Sequence, residues 1–263
     1  MTQPPVMAAT QQCAICHLSP LCMPEHLRNA EALQSLQDII VTRPPRPRGT
    51  LLYTVGEARQ TLYFLRSGSA KAMVSDEQGV QCVASFFFPT DIIGASSLVH
   101  SVCQESVELL ERSAVCEIRA SALERLCQGD PGFLHGLLAK VGASFELERA
   151  ARMRNNHASS DARMADFLLE IGRRMHAIGR CSDDLALSMS RYDIASHLCV
   201  AAETVSRGFR RLHDDRLIDV RGKHIKILDP AGLLCRARDE AGRRSSYPLL
   251  DRDQRMVAHS AEV

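Results

Sequence analysis

Two short helical segments separated by only two residues constrain the fold of this chain more than any other feature. The first predicted helix is Ser190–Leu198 and the second is Ala201–Leu212. Two short helices joined by so tight a turn are typical of a helix-turn-helix. The apolar and polar residues of Leu217–Leu228 alternate around Gly222-Lys223, which predicts a β-hairpin, or wing, directly after the second helix.

The second helix of this pair carries residues suited to DNA. Glu203, Ser206 and Arg207 are three and four residues apart, so they share one helical face. In a helix-turn-helix that face meets base edges in the major groove. Arg207 can donate two hydrogen bonds to guanine, Glu203 can accept one from cytosine, and Ser206 can contact a neighbouring base. Arg210 and Arg211, one turn later, suit phosphates, which contribute affinity but little specificity.

The first half of the chain has a different pattern. Short apolar runs bounded by turn residues recur from about Leu33 to Ile118, which predicts a β-sandwich or a rolled sheet. At Asp130-Pro131 the pattern becomes helical, and it continues from Phe133 to about Asn155. A further amphipathic helix is predicted over Asp161–Ile178, so the fold class is α+β.

The long predicted helix has an apolar stripe. Its members, at helical intervals, are Leu134, Leu137, Leu138, Val141 and Phe145. A small sheet cannot cover so long a helix, so it joins two domains or pairs with its copy in a second subunit. Glu148 lies in line with the stripe, one turn beyond its end. Its carboxylate is either a solvated charge or a charge that opposes its symmetry mate and weakens a dimer.

Composition excludes several protein classes. The 263 residues are 45% hydrophobic and 24% charged, as in ordinary globular proteins. The longest apolar run, Cys82–Phe88, is too short to cross a bilayer, and no signal peptide is recognised, so we expect a cytoplasmic protein without a membrane partner. The net charge is +1, and in residues 151–263 the 20 Lys and Arg outnumber the 16 Asp and Glu. A basic C-terminal part has the sign expected for contact with nucleic acid.

Three of the ten cysteines stand close together as Cys13, Cys16 and Cys22. In a reducing compartment this C-x2-C-x5-C motif indicates metal binding or redox activity rather than disulfides. Soft thiolates select zinc or an iron–sulfur cluster, and either centre needs a fourth ligand. The spacing leaves that ligand open between two histidines for zinc and three cysteines for a cubane cluster: His17, His26, Cys82, Cys103 and Cys116.

The strand-rich half, the long helix and a winged helix-turn-helix containing Glu203-Thr-Val-Ser-Arg207 together resemble the Crp/Fnr family of transcription regulators. The N-terminal cysteine motif resembles the oxygen-sensing FNR branch, whose fourth ligand lies in a Val-Cys-Glu-Ile strand before the long helix. Val115–Ile118 has that sequence. The resemblance, which runs from about Cys13 to Leu228, therefore implies a [4Fe–4S] cluster on Cys13, Cys16, Cys22 and Cys116, with Cys103 as the weaker candidate.

The resemblance also implies how such a protein works. In the family an intact cluster favours a homodimer on a palindrome of TTGAT-like half-sites, and oxygen degrades the cluster and weakens the dimer. Glu203, Ser206 and Arg207 match the family's base-reading positions, and Glu148 aligns with an acidic position on its dimer helix. RNA polymerase is the implied protein partner, and the loop Asp76–Gly79 is one plausible contact surface.

The expected architecture has five parts. They are a cysteine-rich cluster-binding segment (1–30), a β-roll sensor domain like a cyclic-nucleotide-binding domain (31–129), a dimerisation helix (130–157), a winged helix-turn-helix domain (158–230), and a polar, partly disordered tail (231–263). Cys199 occupies the turn between the two DNA-binding helices, where glycine is common.

Three functions other than that of a cluster-containing regulator can be considered for this sequence. Cyclic nucleotide binding is not expected, because Gln104–Val107 lacks the arginine that neutralises the cyclic phosphate, and burying an unpaired phosphate is costly. A zinc-stabilised or thiol-switched DNA-binding regulator remains the main alternative. An enzyme using the cluster for electron transfer or radical chemistry is not supported, since we find no glycine-rich cofactor loop and no catalytic constellation.

Overall fold

The structure of the protein is a computed structural model that describes residues 39–58, 60–75, 78–100, 102–155 and 159–238. Several residues singled out above lie outside these ranges: Cys13, Cys16, Cys22, Asp76, Glu77 and the tail from residue 239. Glu148 lies on the long helix, but its side chain is also outside the description.

The N-terminal domain contains two four-stranded antiparallel sheets within the described residues. The strands are β1 (Ile40–Thr42), β2 (Leu51–Tyr53), β3 (Thr61–Ser67), β4 (Ala70–Ser75), β5 (Gln81–Phe87), β6 (Ile92–Ile93), β7 (Ser106–Leu109) and β8 (Ala114–Arg119). The first sheet has the order β1-β8-β3-β6, and the second has the order β2-β7-β4-β5, so β5 lies at a sheet edge. A short 3₁₀ helix, Ala95–Leu98, follows β6.

Strand β3 shows how the two faces of the first sheet are used. Tyr63 and Leu65 are fully buried in the interior between the two sheets. Leu62 and Phe64 alternate with them and therefore point to the opposite face. Two helices cover that opposite face, α1 (Ala120–Gly129) and the start of α2 (Pro131–Asn155). The rolled sheet and the long helix predicted from the sequence are thus both present.

The C-terminal domain has the predicted winged helix-turn-helix. Its elements are α3 (Ser160–Ala177), β9 (Asp184–Ala186), α4 (Arg191–His197), α5 (Ala202–Asp214), β10 (Ile218–Arg221), β11 (His224–Ile227) and α6 (Pro230–Arg238). Ser190 and Asp193 form a capping box that begins α4. The wing turns at Gly222, whose φ of 64° suits glycine. Cys199 has a φ of 52°, which explains why glycine would also suit the turn between α4 and α5.

The sequence patterns did not predict three elements of the structure: α1, β9 and α6. Helix α6 begins where a polar tail was expected, and its Leu233 is fully buried in the apolar core of the C-terminal domain. Its other apolar residues do not form a regular stripe, which is why periodicity gave no signal. The DNA-binding domain therefore extends to Arg238 instead of ending at residue 230.

None of the helices within the described ranges combines the length and the apolar character needed to cross a bilayer.

Hydrogen bonds connect the two domains along β4 and β5. Lys71 Nζ donates to Asp193 Oδ1 at 2.8 Å, which joins β4 to the first turn of α4. The backbone N–H of Val83, on the edge strand β5, donates to Ser196 Oγ at 2.9 Å. These contacts dock the helix-turn-helix on the N-terminal domain.

Aromatic contacts extend the same docking surface. The ring of Phe86 lies 5.0 Å from the His197 ring and 5.9 Å from the Phe167 ring, measured between centroids. Burial lowers the pKa of His197, so this histidine is neutral at physiological pH. A neutral imidazole can pack between apolar rings without the cost of a buried charge.

Replacing Lys71 by methionine is expected to destabilise the protein by about 1–2 kcal/mol at neutral pH. The side chains of Lys71 and Asp193 are 15% and 13% exposed, so the variant leaves a largely buried carboxylate. Burial alone would raise the pKa of Asp193, but hydrogen bonds from Lys71 and Ser190 outweigh it and lower that pKa. The stabilisation is therefore present above the unfolded-state pKa and is lost as the pH falls below about 4.

Urea unfolding of the wild type and of Lys71→Met at neutral and acidic pH measures this contribution. Lys226→Met, which removes an exposed lysine from β11, is the matched control. An equal loss of stability in both variants, or a difference that persists unchanged below pH 4, would contradict the role given to the pair.

Candidate DNA-binding face and cluster-ligand site

Helix α5 exposes the side chains predicted to read bases. Val205 and Leu212 on its apolar side are fully buried in the domain core. Because the buried positions recur at helical intervals, the opposite side of the helix faces solvent. Glu203, Ser206 and Arg207 all lie on that exposed side, as the spacing predicted.

Local hydrogen bonds orient two of these side chains. Ser206 Oγ donates to the backbone oxygen of Ala202 at 3.1 Å, and Arg207 Nε donates to that of Glu203 at 3.4 Å. Both bonds hold the side chains against the helix surface. The terminal nitrogens of Arg207 are the atoms that a bidentate bond to guanine would use.

The two arginines expected to contact phosphates have different surroundings. Arg210 is exposed to solvent. Arg211 donates to the carboxylate of Asp161 on α3, with Nε–Oδ2 at 2.7 Å and Nη2–Oδ1 at 2.5 Å. This bidentate pair raises the pKa of the Arg211 guanidinium. A phosphate at Arg211 would have to compete with a carboxylate that already holds two of its donors.

Sequence reasoning missed Arg191, which connects the wing to the helix-turn-helix. Its guanidinium carbon lies 4.0 Å from the centroid of the Phe209 ring, and Nη2 donates to the backbone oxygen of Gly222 at 3.3 Å. Burial lowers the pKa of Arg191. Its partners are distant in sequence, so no local motif marks it. Beside this contact the wing exposes a set of basic side chains, Arg221, Lys223 and Lys226.

Cys116 lies in the middle of the first sheet. It is opposite Thr42 of β1 on one side and opposite Phe64 of β3 on the other. Cys116 is 7% exposed, and it packs in an apolar cluster with Phe133 at the start of α2. Strand β1, which pairs with the strand of Cys116, is the first described strand after the cysteine-rich segment in the sequence.

Ion pairs hold β1 against the strand that carries Cys116. Arg43 Nε lies 3.2 Å from Glu117 Oε2, and Arg46 Nη2 forms a second ion pair with the same carboxylate. The chain directly after β1 is thereby fixed to the residue next to Cys116.

Cys103, the weaker ligand candidate, has a different position. It is 4% exposed and packs in the interior between the two sheets. Its backbone N–H donates to Glu57 O, and its backbone oxygen accepts from Gly56 N. A thiol in that interior is separated from β1 and from the long helix by a layer of the sheet.

Cys116 fits the ligand role that the resemblance implies. It is a soft donor, largely buried from solvent, on a strand that pairs with β1, the first described strand after the other three cysteines in the sequence. The 17 residues between Cys22 and Ile40 can span up to about 60 Å when extended, so reach is not limiting. Within the described residues no group of three or more metal-ligating side chains occurs, and the remaining proposed ligands lie outside those residues.

The start of helix α2 has two apolar faces. Phe133 is buried, and Leu137 packs beside it against the Cys116 cluster. A second row of apolar side chains remains exposed, with Leu134 at 41%, Leu138 at 61%, Val141 at 37% and Phe145 at 67%. Leu137 therefore does not belong to the exposed stripe in which the sequence pattern placed it. The four exposed residues recur at the alternating intervals of a coiled-coil seam.

The stretch Gln104–Val107, in which the expected arginine is missing, carries the carboxylate of Glu105. Tyr53 is buried, and its hydroxyl hydrogen-bonds Glu105 Oε1 at 3.0 Å. Burial and the adjacent Glu105 charge raise the pKa of Tyr53. The rings of Tyr53 and Tyr63 stack with their centroids 6.1 Å apart, so aromatic side chains occupy this part of the interior.

Comparison with known families supports both halves of this architecture. Residues 46–130 match the cyclic nucleotide-binding domain family, and residues 162–236 match the Crp-like helix-turn-helix domain family. The solved structure of FixK2 from Bradyrhizobium japonicum has the same fold, with a TM-score of 0.65 at 22% identity over 74% of this chain and 94% of that one.

Full-length relatives are similar across nearly the whole sequence. The chain is 31% identical to the transcriptional activator protein Anr of Pseudomonas protegens, over 89% of this chain and 96% of that protein. It is 28% identical to the anaerobic regulatory protein of Haemophilus influenzae, over 84% of this chain and 86% of that protein. With the winged helix-turn-helix, the roll and the long helix between them, these matches show that the chain belongs to the Crp/Fnr family of transcription regulators.

Proposed function

We propose that this regulator senses oxygen through a [4Fe–4S] cluster held by Cys13, Cys16, Cys22 and Cys116. The protein forms a homodimer while the cluster is intact and binds palindromic DNA with TTGAT-like half-sites to control anaerobic gene expression. The observation that carries this proposal is the packing of Cys116 in one apolar cluster with Phe133 of the long helix.

The names of two relatives support control of transcription and an anaerobic role, respectively. One is called a transcriptional activator protein and the other an anaerobic regulatory protein. Regulators of this family are not enzymes, and we find no catalytic constellation in the sequence.

In the proposed mechanism, the protein's own residues connect the cluster to the strand on which α2 packs. A [4Fe–4S] cluster bound by the four cysteines would supply an oxygen-labile covalent link between the N-terminal segment and β8. Cys116 anchors that link on the strand against which Phe133 and Leu137 pack. A segment fixed at Cys116 therefore acts on the base of α2, which sets the direction in which the exposed stripe points.

Dimerisation follows from the exposed stripe of α2. Leu134, Leu138, Val141 and Phe145 expose apolar surface along one side of the helix, and burying it against a second copy is favourable. A two-fold dimer places two copies of α5 about one turn of DNA apart, which matches a palindromic site. Glu148 continues the direction of this stripe, and we propose that its charge opposes its symmetry mate and makes the dimer easy to dissociate.

The remaining partners follow from the same reading. RNA polymerase is the proposed protein partner, with the loop around Gly79 as one contact surface. A cyclic nucleotide is not proposed as a ligand, because Glu105 would place a carboxylate near the phosphate. We propose that the protein acts in the cytoplasm without a membrane partner.

Protein purified without oxygen is expected to contain iron and sulfide and to show a broad visible absorption that bleaches in air. Cys116→Ser should abolish the absorption, whereas Cys103→Ser, a matched buried thiol on the other side of the sheet, should retain it. Iron, sulfide and zinc analysis of each variant measures the outcome. Retention of the cluster by Cys116→Ser and its loss in Cys103→Ser would move the fourth ligand, and colourless protein with stoichiometric zinc would favour the zinc-stabilised regulator.

Leu138→Glu is expected to make the anaerobic protein monomeric at concentrations at which the wild type is a dimer. The substitution places a charge in the centre of the proposed seam, where Leu138 is 61% exposed in the single chain. Ala143→Glu is the matched control, because residue 143 is exposed about half a turn away on the same helix. Sedimentation velocity measures both, and equal dissociation by the two variants would contradict the seam.

Arg207→Ala is expected to weaken binding to the preferred DNA by about 1–3 kcal/mol and to relax the preference at one base position of each half-site. The preferred duplex is obtained by selecting anaerobic wild-type protein against a random pool. Binding to single-base variants of that duplex then locates the position. Uniform weakening across all sequences would instead identify Arg207 as a phosphate contact.

A further inference from the structure

The first turn of α3 contacts both helices of the helix-turn-helix. Asp161 accepts two hydrogen bonds from Arg211 of α5. Arg163 Nη1, half a turn further along, donates to the backbone oxygen of Leu198 at the end of α4 at 2.6 Å. One turn of one helix thus fixes the recognition helix and the helix before it.

Close packing accompanies the ion pair. At Gly208 of α5, an added Cβ would lie 3.1 Å from Asp161 Oδ1 and would clash with the end of the Met164 side chain. Helix α5 therefore approaches the first turn of α3 as closely as a glycine permits. The pair between Asp161 and Arg211 lies on the rim of this contact, with side chains 17% and 46% exposed.

The pair also changes the electrostatics of the recognition helix. The charges of Arg211 and Asp161 cancel at a separation of 2.5 Å, so together they attract phosphates less than an unpaired arginine does. Arg210, the preceding residue, is exposed and suits a phosphate directly. Two adjacent arginines of one helix thus have different roles.

The chain position of this turn gives the pair its significance. Helix α2 ends at Asn155, and α3 begins at Ser160. The first turn of α3 is therefore the part of the DNA-binding domain nearest in sequence to the long helix.

We propose that Arg211 is a positioning residue for DNA recognition, which Asp161 holds against the first turn of α3, rather than a phosphate contact. The proposal rests on the function proposed above. It assigns the sequence discrimination of α5 partly to an ion pair that touches no DNA.

Four variants of the anaerobic full-length protein test this role: Arg211→Ala, Asp161→Asn, the double variant, and Arg210→Ala as the matched control. The affinity of each for the duplex selected by the wild type and for a scrambled duplex is measured over a range of salt concentrations. The ratio of the two affinities reports positioning, and the salt dependence reports the number of phosphate contacts. Thermal unfolding by circular dichroism checks that each variant is folded.

Arg211→Ala should lower the affinity ratio about fivefold and leave the salt dependence unchanged. Asp161→Asn should lower the ratio similarly and raise the salt slope by about one phosphate, because Arg211 is released. The double variant should lose no more of the ratio than either single variant, since both remove one interaction. Arg210→Ala should reduce the slope by about one phosphate and leave the ratio unchanged.

A loss of one phosphate from the salt slope in Arg211→Ala, with an unchanged ratio, would overturn the inference and leave the proposed function standing. Independent, additive losses in Asp161→Asn and Arg211→Ala would also overturn it. If the anaerobic wild type selects no duplex from the pool, the proposed function and this inference fail together.

Discussion

The packing of Phe133 against the sheet face that carries Cys116 is the contact on which the rest of the structure depends. Strand β8 lies between β1 and β3, so its position is fixed from both sides. Burial of Phe133 and Leu137 on that sheet fixes the rotation of α2 about its axis. Once that rotation is fixed, Leu138 and its neighbours on the exposed stripe can only face outward.

This geometry links three properties that are distant in sequence. The strand of the proposed ligand, the proposed dimer seam and the recognition helix are linked along the chain by α2 and the first turn of α3. A local change beside Cys116 need not be large to matter, because a small rotation of a long helix becomes a larger displacement at its far end. The arrangement suits a regulator whose output depends on how two DNA-binding domains are spaced.

Much of this fold is predictable from local patterns. The short gap between the two helices predicted at Ser190–Leu198 and Ala201–Leu212, together with Gly222 in the wing, identifies the winged helix-turn-helix, and strand spacing identifies the roll. Helical periodicity does not separate two apolar faces that lie side by side on one helix. It places Leu137 in the same stripe as Leu138, although Leu137 packs on the sheet and Leu138 is exposed. It also missed α6, whose burial depends mainly on Leu233.

The candidate site also has features that local sequence patterns predict and features that they do not. The shared face of Glu203, Ser206 and Arg207 follows from helical spacing, but the partner of Arg211 is 50 residues away and could not be predicted. The contact of Lys71 with Asp193, 122 residues apart, also arises only when the domains pack. Spacing alone did not single out Cys116 as the proposed fourth ligand; the family resemblance implied it, and burial of Cys116 beside β1 is compatible with that proposal.

The docking of α4 on β5 has a consequence for how this protein can move. Strand β5 ends its sheet, and its unpaired backbone groups are a template for another chain unless something covers them. The hydroxyl of Ser196 accepts the N–H of Val83 at that edge, so α4 covers part of it. A movement that lifts α4 away from β5 would expose this strand edge. Unless another part of the protein then covers the edge, the protein becomes prone to aggregation.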